Sequence, residues 1–83
     1  MIIKSYHNQA LRLIQNKNWD AAHSLVQDCP DPLSCRIHGY LHRIEGDLAN
    51  ARYWYQRAGL GMPEDSLDLE LERLLMQVAD MAE

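Results

Sequence analysis

Threonine is missing from the 83 residues, other β-branched residues are few, and no stretch alternates apolar with polar side chains beyond a few positions. Strands are built from such residues with a period of two, so a sheet is excluded as the organising element. Long apolar runs are missing too: nothing approaches the roughly 18 consecutive apolar residues that span a bilayer. Met1-Ile2-Ile3-Lys4-Ser5-Tyr6 holds no apolar run with a cleavage site, so a cytoplasmic protein without membrane contact is expected. An excess of positive charge is a third absence. Eight Lys+Arg stand against twelve Asp+Glu, a formal net charge of −4, and the attraction to phosphate backbones that dominates nucleic-acid binding is lacking for the protein as a whole. No nucleic acid is expected as a partner. Cys29 and Cys35 could close a short loop, but a reducing cytosol favours free thiols. Catalytic signatures are absent as well: there is no Gly-rich phosphate loop, nucleophile elbow, His-Glu-x-x-His or Cys-x-x-Cys. The expectation is a protein that is not an enzyme and needs no cofactor.

What is present is a helical period. Apolar residues make up 47% of the sequence, enough for one small core, and the length leaves room for a single domain, 1–83. They recur close to every 3.6 residues, and the pattern breaks where Gly, Pro and Asx cluster: Asn16-Lys17-Asn18, Cys29-Pro30-Asp31-Pro32, Glu45-Gly46-Asp47 and Gly59-Leu60-Gly61-Met62-Pro63. Five helices are predicted, over 3–16, 18–28, 32–45, 47–58 and 63–82. Gly46 can end the third helix with a positive φ, and Asp47 can cap the fourth with its carboxylate. Pro30 and Pro32 remove two donors and force extended backbone before them, separating the second helix from the third. Pro63 is read as a first-turn proline, with Glu64 and Asp65 beside the positive end of the last helix.

Laying the second helix on the fourth at an offset of 29 aligns Trp19 with Leu48, Ala22 with Ala51, Leu25 with Trp54, Val26 with Tyr55, and Cys29 with Ala58. The same offset aligns Ala10 with Gly39. Small residues at these places let two helix backbones approach closely, so two antiparallel pairs, 3–28 and 32–58, are expected to stack, with helix 63–82 covering the open end. Gly39, Ala51, Tyr55, Ala58 and Pro63, with Gly46-Asp47 at the turn, resemble the pattern of tetratricopeptide repeats. Gly46-Asp47, Ala51, Trp54-Tyr55 and Ala58 are also similar to Sel1-like repeats. Tyr6, Ala10, Trp19 and Ala22 carry the likeness in the first pair, where Cys29-Pro30 replaces the usual end of the second helix. The resemblance implies an all-α, tetratricopeptide-like stack of two helix pairs plus a capping helix. The expected packing residues are Ala10, Trp19, Ala22, Gly39, Ala51, Trp54, Tyr55 and Ala58.

The resemblance also implies a protein-interaction module that holds an extended peptide on a strip of its first-of-pair helices. Arg36 and Arg43, seven apart and flanking Tyr40, would form that strip with Lys4 and His7. Guanidinium groups grip carboxylates in bidentate fashion, so the ligand would be an acidic segment or the C-terminal carboxylate of a polypeptide. Alternatively, Arg36 and Arg43 pair with Glu45, Asp47 or the acidic last helix. A second reading is metal binding. Cys35, His38 and His42, at i, i+3 and i+7, put a thiol and two imidazoles within about 60° of one another on a helix. Packing is the stronger account of that arc, because Gly39 lies in it and no Asp or Glu is placed to steer either ring; His7 and His23 have no assigned place. Within Tyr53-Trp54-Tyr55 the side chains point in three directions, so Trp54 and Tyr55 are core and Tyr53 a rim residue. Leu67, Leu71, Leu74, Val78 and Met81 step by 4, 3, 4 and 3 to form an apolar seam. Leu69 and Met76 lie on its far side and are the candidates for a homodimer contact, so a third reading is a small structural homo-oligomer.

Overall fold

The computed structural model describes residues 5–81 and, among them, contains five helices and no strand. They are α1 (Ser5–Gln15), α2 (Trp19–Val26), α3 (Pro32–Glu45), α4 (Leu48–Arg57) and α5 (Leu67–Met81). Among the described residues no helix is long and apolar enough to cross a membrane.

The starts of α2 to α5 have local causes. The Asn18 side chain accepts the Ala21 N–H at 3.4 Å, and the turn before it places Lys17 at φ 62°. Asp31 caps α3, accepting the Ser34 N–H at 3.0 Å, with Pro32 in the first turn where its missing donor costs nothing. Gly46 ends α3 at φ 84°, and Asp47 caps α4 by accepting the Asn50 N–H at 3.3 Å. The last helix departs from expectation. It begins at Leu67, not Pro63, because Ser66 supplies the cap: its hydroxyl accepts the Leu69 N–H at 3.1 Å and its carbonyl the Glu70 N–H. Asp65 is drawn outward to an ion pair with Arg73, and Pro63 stays in the loop.

Helix α1 packs on α2 and α3 on α4, while α3 also touches α1 and α2. Both sides of α3 are therefore covered. Leu33, Ile37, Tyr40 and Leu41 face the main core with Leu11, Ile14, Val26, Leu74 and Val78, while His38, Gly39 and His42 are buried on the other side. Fully burying a Leu or Ile contributes about 1.5–3 kcal/mol, so α3 is the helix on which the fold depends most. Only glycine fits at 39: a Cβ there would lie 2.9 Å from the Tyr55 ring and 3.2 Å from the Ala51 carbonyl oxygen. Ala10, Ala22, Ala51 and Tyr55 are likewise fully buried. Trp19, Trp54 and Ala58 are only partly so, Ala58 as the C-terminal cap of α4.

Helix α5 lies on α1 and α3. The stacked-pair pattern predicts it over the end of the stack; instead it crosses the face of the two first-of-pair helices. Leu74 and Val78 point into the core, Leu67, Leu71 and Leu75 pack at its edge, and Leu69 and Met76 stand 52% and 58% exposed on the outer face.

Candidate functional site

Under α5 lies a buried charge cluster built around Glu70. This glutamate sits on the apolar face of its helix, one turn from Leu67 and Leu74, and is fully buried. An unpaired carboxylate there would be prohibitively costly. The strip on α3 supplies its partners: the Arg43 guanidinium pairs with Glu70 directly, and Arg36 Nε stands 3.9 Å away. Tyr55, from α4, places its hydroxyl 2.6 Å from both carboxylate oxygens.

Further bonds hold α5 by its backbone and side chains. Arg43 donates to the Asp65 carbonyl at 2.5 Å, Tyr40 donates to the Leu67 carbonyl at 2.9 Å, and Arg36 donates to the Gln77 side chain at 2.5 Å. Burial, then the charge of Glu70, pushes the Tyr40 hydroxyl up to about 12. Burial and the hydrogen bond to Glu70 push Tyr55 upward as well. Both phenols therefore remain donors near neutral pH. Burial alone would weaken the proton affinity of Arg43, but its bonds to Glu70 outweigh that and raise it.

The expected open strip is thus a covered one. Arg36, Tyr40 and Arg43 do share a face, yet their side chains are enclosed by the acidic last helix, the alternative pairing foreseen from sequence. His7 is not on that strip. It is fully buried, with Nε2 2.8 Å from Asp31 and 2.9 Å from the Ser34 hydroxyl. Lys4 lies outside the described residues. A cleft of about 250 Å³ continues the face at the ends of α1 and α3, lined by Ile14, Trp19, Tyr40, Ile44, Leu67 and Leu71 among others.

Asp31, Ser34 and His7 have the composition of a nucleophilic triad but not its wiring. A triad needs one imidazole nitrogen on the acid and the other on the hydroxyl. Here a single nitrogen meets both, and the buried Ser34 hydroxyl donates to Asp31 at 2.7 Å. Burial raises the Asp31 carboxyl, but bonds from the Ser34 backbone and hydroxyl, His7 and Tyr6 outweigh it and bring it down to about 2. The cluster ties α1 to the start of α3.

On the opposite side of α3 the structure regroups the predicted metal-capable residues. Cys35 turns away, its sulfur 3.7 Å from the Pro30 carbonyl and 4.0 Å from that of Cys29, because the first turn of α3 lies over that loop. His23 of α2 takes its place: one ring nitrogen from each of His23, His38 and His42 lies within 4.8 Å of the others. Trp19 stacks on His23 with centroids 4.8 Å apart, and Trp54 stacks on His38 at 3.9 Å. A carboxylate does steer one ring, since His42 Nδ1 is 2.6 Å from Glu45. His38 Nδ1 is buried without a hydrogen-bond partner among the described residues, a deficit of about 1–3 kcal/mol. Burial, then the neighbouring His23 and His42, pushes His38 down to about 4; burial and His42 also lower His23.

Glu70, Asp31 with Ser34, and the His23–Glu45 additions were not singled out from sequence. A signal existed for two of them: Glu70 interrupts the Leu67, Leu71, Leu74 seam, and Glu45 is three residues after His42. His23 carried none, because its partners are set by how α2 crosses α3. No protein-family model, curated protein or solved structure matches the sequence or the fold.

Proposed function

We propose that the protein is a non-catalytic helical-repeat module that binds an acidic helical segment of another protein across α1 and α3. One observation carries this reading: Arg36, Tyr40 and Arg43 already hold such a segment, because α5 places Glu70 among them with its leucines on either side. The proposed ligand shares the chemistry of α5. A partner presenting a carboxylate between leucines one turn away would compete for the same groove, and the cleft beside Ile14 and Ile44 would take one of its apolar anchors. The starts of α2 and α4 at Trp19 and Leu48, 29 residues apart, and the matched burial of Ala10 with Gly39 and Ala22 with Ala51 support a repeat of the tetratricopeptide kind. The two free thiols fit a cytoplasmic setting.

Competition with a tethered helix is steep, since a short linker gives α5 an effective concentration on the order of millimolar. The test loosens α5 first. Glu70→Gln keeps the size of the side chain and removes its charge. A fluorescent peptide of residues 64–81, which retains the carboxylate, is expected to bind this variant at least tenfold more tightly than the parent protein. Adding Arg43→Met should abolish the gain. Absence of peptide binding to a Glu70→Gln protein that circular dichroism shows to be fully helical would sink the reading.

A further inference from the structure

We infer that His23, His38 and His42 form a site for a divalent transition-metal ion of the class that prefers imidazole, zinc foremost. The site lies across α3 from Arg36, Tyr40 and Arg43, and Trp19 borders both it and the cleft beside α5. It lies on the face of α3 that meets α2 and α4, walled by Trp19 and Trp54.

His38 and His42 are one turn apart on α3, the separation at which two imidazoles project side by side from a helix toward one ion. Helix α2 brings the third ring across: His23 meets His38 edge-on at a centroid distance of 4.6 Å and His42 at 5.4 Å. Three neutral imidazoles with an open fourth position form the ligand set of a tetrahedral zinc site. Nitrogens bound to one tetrahedral ion at about 2.0–2.1 Å lie about 3.3 Å apart, so the 4.8 Å envelope must contract. The partly exposed His23, on the short helix α2, is the ligand free to rotate inward.

Two further features point to a ligand and not to a simple ring stack. Buried imidazole nitrogens are ordinarily satisfied, yet His38 Nδ1 has no partner among the described residues, although its residue is 3% exposed and lies among three other aromatic rings. His42 has the opposite character. Its Nδ1 is fixed by Glu45 at 2.6 Å, which leaves Nε2 for an ion and supplies the carboxylate–histidine support that tunes metal ligands. Packing alone requires neither an orphaned nitrogen on one ring nor a steering carboxylate on the next.

The test uses the 83-residue protein and zinc chloride, with a chromophoric chelator as competitor and the melting temperature as a second readout. The expected result is one zinc per molecule, with the melting temperature raised by about 10 °C or more at a hundredfold excess over Kd. His38 is deeply buried and its replacement can unfold the protein, so the decisive variants are His23→Ala, at a partly exposed position, and Glu45→Gln. His23→Ala should weaken zinc at least tenfold and Glu45→Gln about tenfold, with helicity retained, whereas Cys35→Ser should leave affinity unchanged. Unaltered melting in excess zinc, or full affinity in the folded His23→Ala protein, would overturn the assignment.

Discussion

Replacing Glu70 by alanine removes the centre of the cluster under α5 and leaves Arg43, 10% exposed, without its carboxylate. Breaking a buried pair from one side costs about 3–5 kcal/mol, because the remaining charge is still out of water. Tyr55 loses its carboxylate acceptor at the same time, and Arg36 loses a nearby countercharge. A protein of this size has a total stability of about 4–12 kcal/mol. Glu70→Ala should therefore remove a large share of it. In urea, with a slope of about 1–1.5 kcal/mol/M for so small a domain, the midpoint should fall by about 2–5 M. Glu70→Gln, which retains an acceptor for Tyr55, should fall by less. The pair Glu70→Leu with Arg43→Met should recover the part of the loss that comes from stranding Arg43, while Tyr55 and Arg36 still lack the carboxylate. A midpoint shift below about 0.5 M for Glu70→Ala, or no recovery in the double variant, would refute the buried-cluster argument.

At Gly39 the space is filled by a ring that cannot retreat, because the Tyr55 hydroxyl is anchored at Glu70. Gly39→Leu should lower stability by about 1–3 kcal/mol or more by denaturant melt; an unchanged melt would mean that α3 is rotated. Asp31 gives a pH signature. Its folded-state value of about 2 lies below the ordinary 3.8, so its contribution is complete above about pH 4 and disappears as pH falls toward 2. The full shift would correspond to about 2.5 kcal/mol, reduced to about 1 kcal/mol by solvent at a carboxylate 30% exposed. Asp31→Asn should flatten that limb of the stability profile, and an identical profile in the two proteins would contradict it. Leu69 and Met76 on the outer face of α5 are expected to mediate weak self-association; sedimentation should show dimer at high concentration, lost in Leu69→Glu/Met76→Glu, and a monomer throughout would dismiss the contact.

The element plan was legible from local chemistry. Gly46-Asp47 at one turn and Asp31-Pro32 at another act within a few residues of themselves, and α3 and α4 fall within a residue of their expected bounds. The start of α5 was not legible in the same way, because proline is tolerated in a first turn without demanding one, while Ser66 offered a better cap. The arginine strip was legible as a set, and its preference for a carboxylate followed from guanidinium geometry. That the carboxylate comes from α5 was not, because the path of a helix after a loop is decided by tertiary packing. The histidine cluster shows the same boundary. His38 and His42 share a helix and could be paired on paper, but His23 replaced Cys35 through the crossing of α2 over α3, which no spacing in the sequence encodes.

The groove reading is tested most directly by amide hydrogen exchange on the parent protein with and without an excess of the 64–81 peptide. If the peptide takes the place of α5 on Arg36, Tyr40 and Arg43, amides of residues 67–79 should exchange faster as peptide is added while those of α3 and α4 keep their protection. Unchanged protection in α5 at millimolar peptide, or loss of protection in all five helices together, would contradict it.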